Sequence, residues 1–493
     1  MTGLSSGMRW SGLSAVGREA SRTIFTIMLA RLVGPEAFGI VAQAAVYIGI
    51  VGLLLDQGFS SALIQRRTIE SDMPGAIVTV NLAVGATLTA ITIAIAPAWA
   101  SFMSTEQLTL VLVVMAPTQL IRAATITPRA MLMRTMQFRK IGIADITSAV
   151  AGGALGVLVA LLSGSYWAIV VQIVSTDVVL VVMLLAVGAG SWPNLHLRRL
   201  KEIAGYSWRA FAAGLLINSV ARNIDNLLVG RFQGPQALAF YALAYRLLLL
   251  PVQLTCNTIG NVLFPAFSRL AHDLAALRTE LARATRALAM LALPTMALVA
   301  ASAPQVVPLV FGGQWRPAVP IVQVLALAGA MQAIYQPSTI PVVLGLGQAK
   351  LNLRYAWLTT LMATAGIVAG LPFGPFGVAL GYSAAATLIV PVEWWIRRRL
   401  LHVSMRSQAV ILVPALHVAA WVAGGYLLVA VAIPGRDGIV LVLGLLLATA
   451  AGLGVLRVVH RAQLTELLYM ANRILGRARP QSAPVPETAG QLP

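Results

Sequence analysis

Ala30-Arg31-Leu32-Val33-Gly34-Pro35-Glu36-Ala37 recurs 200 residues later as Gly230-Arg231-Phe232-Gln233-Gly234-Pro235-Gln236-Ala237. The same offset pairs Arg9 with Arg209 and Arg22 with Arg222, and nine of 36 positions agree between 9–44 and 209–244. A chance Arg-x-x-Gly-Pro turn is the bland reading. Against it, each copy sits at the same place in a regular series of apolar stretches, at the end of the first and the end of the seventh. Six stretches separate the copies, so both halves point the same way. The repeat predicts two parallel six-helix lobes related by an axis along a membrane normal, a plan associated with alternating-access transporters.

The series contains about fourteen stretches of roughly 20 residues, the length that spans a bilayer. They lie near 8–32, 37–57, 75–99, 107–127, 141–163, 165–188, 203–230, 236–264, 288–311, 317–345, 351–371, 375–396, 408–433 and 438–458. The fold class this predicts is an all-α polytopic membrane protein. Of its 35 Lys and Arg, 26 fall in alternate segments, four (Arg31, Arg231, Arg316, Arg436) in the opposite loops, and five inside the stretches. By the positive-inside rule the basic side is cytoplasmic. Both termini are therefore expected in the cytoplasm and the chain in a bacterial inner membrane. The expected division is an N-lobe over 1–198, a C-lobe over 199–400, two extra helices over 401–460 and a tail over 461–493. The Pro-, Gln- and Ser-rich end of that tail, 480–493, is expected to be disordered.

Composition agrees with this plan. The hydrophobic share is 58% and the charged share 10%, against about a quarter charged in soluble domains. Mean hydropathy is +0.83. The net charge of +19 is scattered over short loops rather than gathered on one module, which argues against nucleic acid and for retention against anionic lipid. The one cysteine, Cys256, lies in an apolar run and reads as a buried inert thiol. Met1–Gly7 has no basic n-region, so the first stretch is expected to be a retained helix, not a cleaved signal. Segment 269–287 repeats Leu270, Leu274, Leu277, Leu281 and Leu288 at helical spacing among Arg269, Arg278, Glu280, Arg283 and Arg286. It reads as an amphipathic helix at the cytoplasmic interface.

Polar residues inside the stretches carry the functional signal. An arginine at a helix centre costs about 2.5–3.5 kcal/mol on insertion scales. Arg18 and Arg22 lie close to mid-bilayer, with Ser11, Ser14 and Ser21 on the same stripe. Asn218, Arg222 and Asp225 share a face of the seventh stretch, and Arg246, Gln253 and Asn257 a face of the eighth. The three stripes are expected to meet in one wet cavity. The plain alternative is salt bridging within a helix, Glu19 to Arg22 and Asp225 to Arg222. Arg18 and Arg246 have no such local partner. Arginine suits phosphate, because its planar fork makes two parallel hydrogen bonds and never loses its charge. Glu19, Asp177 and Asp225 are the candidates for coupling to a proton or sodium ion, with an inter-helix hydrogen bond the competing role for such acids. Asp145 and Glu393, nearer the cytoplasmic ends, are further acids that could bind such an ion. The dispersed His196, His272, His402, His417 and His460 show no metal-site spacing, and no Gly-x-x-x-x-Gly-Lys-Ser/Thr loop is present. No cofactor, no metal site and no catalytic residue are expected.

The 30–39 stretch, Ala30-Arg31-Leu32-Val33-Gly34-Pro35-Glu36-Ala37-Phe38-Gly39, followed by Asp56-Gln57-Gly58-Phe59-Ser60-Ser61-Ala62-Leu63-Ile64-Gln65-Arg66, resembles the N-terminal signature of Wzx-type polysaccharide flippases. These belong to the multidrug/oligosaccharidyl-lipid/polysaccharide exporter superfamily. Asn223-Ile224-Asp225-Asn226-Leu227-Leu228-Val229-Gly230 and Leu263-Phe264-Pro265-Ala266-Phe267-Ser268-Arg269 resemble the start of that family's second lobe. The resemblance implies two six-helix lobes around a cationic cavity, two extra helices, and no enzyme activity. It implies an undecaprenyl-pyrophosphate-linked oligosaccharide turned from the cytoplasmic to the periplasmic leaflet for exopolysaccharide, capsule or O-antigen assembly. It also implies polysaccharide polymerase and chain-length co-polymerase proteins as partners. Arg18, Arg22, Arg222 and Arg246 occupy the matching cavity positions, while the middle of the second stretch lacks a further cation.

Three other functions compete. A multidrug extruder of the same superfamily would use carboxylates to hold cationic drugs, whereas these helix interiors favour Arg. A membrane polymerase, ligase or glycosyltransferase would need acids, bases or metal-binding carboxylates on sizeable outer loops, and these loops are short and poor in carboxylates. A scaffold or lipid scramblase differs from a flippase only in transport assays. The residues name neither the glycan nor the driving ion.

Overall fold

The structure, a computed structural model, describes residues 2–55, 60, 63–64, 69–187, 191–196, 220–255, 261–465 and 467. Helices follow one another through almost all of it. The first set is α1 (Thr2–Val33), α2 (Pro35–Gly52), α3 (Met73–Met103), α4 (Gln107–Met115), α5 (Pro117–Arg134), α6 (Phe138–Ser163) and α7 (Trp167–Ala186). The second is α8 (Val220–Phe232), α9 (Gly234–Thr255), α10 (Asn261–Arg269), α11 (Leu274–Phe311), α12 (Ala318–Gly345), α13 (Ala349–Gly370), α14 (Gly374–Leu388) and α15 (Val390–Leu401). α16 (Met405–Ala432) and α17 (Asp437–Val458) follow.

Each of the fourteen apolar stretches coincides with helix where it is described. Ten helical stretches are long and apolar enough to cross a membrane among the described residues. Prolines explain two interruptions. The fourth stretch breaks between α4 and α5 at Pro117, and the twelfth between α14 and α15, where Pro391 opens the next helix. Proline cannot donate to the preceding turn, so it favours the start of a new helix over the middle of an old one.

The chain forms two compact units. One comprises 1–250, 303–328 and 350–389; the other comprises 251–302, 329–349 and 390–493. In the first, Leu29, Ala44, Leu108, Leu112 and Ala168 are fully buried in one apolar cluster drawn from α1, α2, α4 and α7. In the second, Leu277, Leu281 and Ala284 pack on Phe267, Val342 and Leu401. The leucine stripe of 269–287 therefore faces protein rather than lipid. The stripe also does not form a separate interfacial helix, because α11 carries most of it and continues to Phe311, 38 residues in all, about 57 Å at 1.5 Å per residue. That exceeds a hydrocarbon core of about 30 Å, so the arginine-bearing turns project past it.

The repeat is visible in the backbone. Gly34 and Gly234 both have left-handed backbone, φ 87° and 83°, a conformation that favours glycine. Each is followed by proline in the first turn of a helix, α2 and α9. The two motifs also touch. A Cβ on Gly39 would lie 1.8 Å from the Pro235 carbonyl oxygen, and Gln43 donates to the Gly230 carbonyl at 2.9 Å. Trp315, fully buried, donates to the Ala30 carbonyl at 2.9 Å and meets Phe38 and Phe240 edge-on. The repeat arginines cross over: Arg31 donates to the carbonyls of Leu309 and Val310 at the end of α11, while Arg231 lies 5.5 Å over the Phe102 ring at the end of α3.

Candidate functional site

Helix packing in the first unit is set by small residues. A Cβ on Gly153 of α6 would lie 2.2 Å from the Phe25 ring of α1, and one on Gly152 would lie 2.0 Å from Thr176 Oγ1 of α7. On the α1 side, a Cβ on Gly17 would lie 2.9 Å from Ile146. α6 can therefore press between α1 and α7. Asp145 sits two turns before Gly152 and is carried against Arg18. Arg18 Nη1 donates to Asp145 Oδ2 at 2.9 Å. Arg129 of α5 donates to both oxygens of the same carboxylate, at 3.0 and 2.8 Å, the paired fork geometry of strong guanidinium–carboxylate contacts. Asp145 is buried.

Further polar contacts lie on the same helices and on α9. Arg122, seven residues before Arg129 on α5, donates to Asp177 of α7 at 2.8 Å. Arg246 of α9 donates to Thr26 Oγ1 at 3.2 Å and lies 3.8 Å from the Glu19 carboxylate. Arg22 is exposed and acts electrostatically on both Asp177 and Arg246. Five guanidiniums thus stand among three carboxylates, two positive charges in excess. Each guanidinium carries five donors, and the contacts described use few of them. The side chains of Arg18, Arg122, Arg129 and Arg246 are 37, 38, 33 and 43% exposed. Arg18 Nε is buried with no hydrogen-bond partner among the described residues. Such a cluster attracts an anion and presents forks that match phosphate oxygens.

The sequence-predicted residues divide as follows. Arg18, Glu19 and Arg22 on α1, Asp177 on α7 and Arg246 on α9 belong to this cluster. Glu19 pairs with Arg246, not within its own helix, and Arg18 has a partner 127 residues away. Asp225 on α8 is buried, accepting from Tyr241 Oη at 3.3 Å and from the Asn226 backbone N–H at 2.8 Å. Arg222 and Gln253 lie on α8 and α9, with side chains outside the described residues; Asn218 and Asn257 lie wholly outside them. Arg122 and Arg129 are not among the predicted site residues, and Asp145 figures there only as an acid that could bind a coupling ion, not as an arginine partner. Arg122 was legible as an arginine inside an apolar stretch. Arg129 looked like part of a basic connection, because α5 continues to Arg134, beyond the apolar run. Among the described residues, no three His, Cys, Asp or Glu side chains gather as a metal site requires.

The second unit holds its own buried polar node. Arg397 donates to Ser338 at 2.6 Å, Thr339 at 2.8 Å and Thr285 at 3.1 Å, and Thr339 donates to Glu393. The Arg397 guanidinium also lies 5.0 Å over the Tyr335 ring. With both charged groups buried and hydrogen-bonded, this node ties α11, α12 and α15 together.

Residues 28–320, more than half of the chain, match the family described as polysaccharide biosynthesis protein. The succinoglycan biosynthesis transport protein ExoT of Rhizobium meliloti (strain 1021) is 26% identical over 364 residues, 73% of this chain and 72% of that protein. The lipopolysaccharide biosynthesis protein WzxC of Escherichia coli (strain K12) is 22% identical over 386 residues, 76% of this chain and 77% of that protein. In fold, the chain is similar to the lipid II flippase MurJ in an inward closed conformation, with a TM-score of 0.69 and 13% identity over 90% of this chain and 99% of that one. An inward-facing multidrug resistance MATE transporter gives 0.60 and 17%, over 78% of this chain and 98% of that one. Helical through almost all of its described residues, the chain has a fold similar to those membrane transporters and belongs to the polysaccharide biosynthesis protein family.

Proposed function

We propose that this protein flips an undecaprenyl-pyrophosphate-linked oligosaccharide from the cytoplasmic to the periplasmic leaflet of a bacterial inner membrane. The observation that carries the reading is the excess of arginine over carboxylate inside the helices of the first unit. A sugar-bearing pyrophosphate cannot cross hydrocarbon alone, since its polar groups would lose their hydrogen bonds to water. Arg18, Arg22, Arg122, Arg129 and Arg246 supply replacement donors, and Arg222 of α8 is assigned the same role. Asn218, Gln253 and Asn257 are assigned to the sugar. An excess of guanidinium disfavours the cationic drugs of a multidrug extruder.

The working cycle is alternating access by two six-helix lobes, 1–198 and 199–400, across fourteen spans with both termini cytoplasmic. The contacts among Ala30, Gly39, Gly230, Pro235 and Trp315 form the periplasmic gate. Pyrophosphate oxygens compete with Glu19 and Asp177 for Arg246 and Arg122. A carboxylate displaced in this way is free to take a proton or sodium ion, which couples loading to an ion gradient; Asp225 is the third candidate. The polyprenyl tail stays in lipid, and polysaccharide polymerase and co-polymerase proteins receive the product. The test is a deletion strain of the source bacterium. The expected result is accumulation of a complete lipid-linked repeat unit on the cytoplasmic leaflet, restored by the wild-type gene. Normal periplasmic delivery in the deletion strain contradicts the assignment.

A further inference from the structure

A second cationic site lies in the other compact unit. The first turns of α11 and the N-terminus of α16 enclose an open cleft of about 560 Å³. A water in the liquid takes about 30 Å³, so the cleft has room for a phosphate group and its hydration. Arg278, Arg283 and Arg286 line it, together with the hydroxyl residues Thr279, Ser404 and Ser407, and no carboxylate is among the lining residues.

The geometry follows from the two helices. Thr279, Arg283 and Arg286 recur at spacings of four and three, and Arg278 adjoins Thr279, so they share the face opposite Leu277, Leu281 and Ala284, which are buried in the apolar core. Ser404 caps α16, its Oγ accepting from the Ser407 backbone N–H at 3.1 Å. That cap leaves other first-turn N–H groups of a 28-residue helix directed outward, where partial positive charge favours an anion. Glu280 accepts from Arg283 at 2.7 Å and balances one of the three cations. Arg278 Nε is buried without a hydrogen-bond partner among the described residues, an uncompensated donor beside an open polar cleft.

We propose that this cleft binds a phosphate group, independently of the flipped substrate. Two sources carry that chemistry: the phosphodiester of an anionic membrane lipid, and a soluble phosphate compound. Both helices present this end on the side that bears the basic connections, where anionic headgroups concentrate. A fork of guanidiniums with hydroxyl donors recognises the phosphate oxygens in either case.

The test uses the full-length protein purified in neutral detergent. Native mass spectrometry measures retained phosphatidylglycerol, and titration calorimetry measures inorganic phosphate. Arg278→Ala/Arg286→Ala is expected to lower binding of the recognised probe at least fivefold. Thr279→Glu, at an exposed position that leaves packing intact, is expected to do the same by repulsion. Arg278→Lys/Arg286→Lys should keep part of the binding. Phosphatidylglycerol bound and not displaced by inorganic phosphate identifies the lipid source; inorganic phosphate bound alone with the same variant dependence identifies the soluble one. The proposal is overturned if neither probe binds or if Thr279→Glu leaves binding unchanged.

Discussion

Arg18 and Asp145 lie 127 residues apart in sequence and meet at 2.9 Å, with Arg129 gripping the other side of the same carboxylate. Asp145 is thus the anion that holds α1 to α5 and α6. Asp145→Asn removes its charge and leaves two guanidiniums facing each other. Both arginines are about one-third exposed, so the loss is smaller than for a fully buried pair, about 1–3 kcal/mol. Thermal unfolding in detergent should fall by several degrees, and Arg129→Gln/Asp145→Asn should recover part of it. An unchanged midpoint for Asp145→Asn shows that this triad does not hold the helices.

Gly39 is required by contact rather than by backbone conformation. An added Cβ would overlap the Pro235 carbonyl at 1.8 Å, and main chain cannot rotate away as a side chain does. Gly39→Ala should cost about 1–3 kcal/mol, typical of overpacking, whereas Gly49→Ala, with nothing within 4 Å, should be near neutral. Equal unfolding midpoints for the two variants contradict the packing argument.

The crossed arginines make a testable latch. Arg31 holds the last carbonyls of α11 and Arg231 the Phe102 ring at the end of α3. In a Cys256→Ala background, a cysteine replacing the buried Ala30 should react slowly with an impermeant maleimide added outside. Arg31→Ala/Arg231→Ala should raise that rate several-fold. Rates that stay equal dissociate the two arginines from closure.

His417 and His460 link α16 to the turn after α17. Trp421 Nε1 donates to His417 Nε2 at 2.9 Å, which leaves His417 Nδ1–H to donate to His460 Nε2 at 3.1 Å. Partial burial, then the neighbouring His417, hold the His460 pKa below its usual value. The folded state therefore binds fewer protons than the unfolded chain. Stability from this pair is present above the ordinary histidine pKa of about 6.5 and is lost as pH falls through the lowered folded value. The unfolding midpoint of the wild type should drop more between pH 7.5 and 5 than that of His460→Gln. Parallel pH curves contradict the pairing.

Much of this architecture was legible because membrane insertion makes strong demands on a sequence. Spans need long apolar runs, and Gly34 and Gly234 had to be glycine to open α2 and α9 with left-handed backbone. The arginines at 18, 22 and 246 stood out because hydrocarbon penalises them. Their partners did not stand out. Asp145 lay near the end of its stretch and Arg129 beyond the end of its own, and only packing of α6 against α1 and α7, set by Gly152 and Gly153, brings them together. The leucine stripe of α11 suggests an amphipathic helix at the interface because periodicity reports an apolar face without naming what covers it; Phe267, Val342 and Leu401 cover it.

The central claim is that the arginine cluster carries a pyrophosphate headgroup. The direct measurement is transport of labelled undecaprenyl-pyrophosphate-linked oligosaccharide into proteoliposomes with an imposed ion gradient and no ATP. At equal reconstituted protein, Arg18→Ala/Arg246→Ala should lower the rate at least tenfold, and the matching lysine pair should restore it only in part, because charge returns without the bidentate fork. A wild-type rate from the double alanine variant would contradict the account.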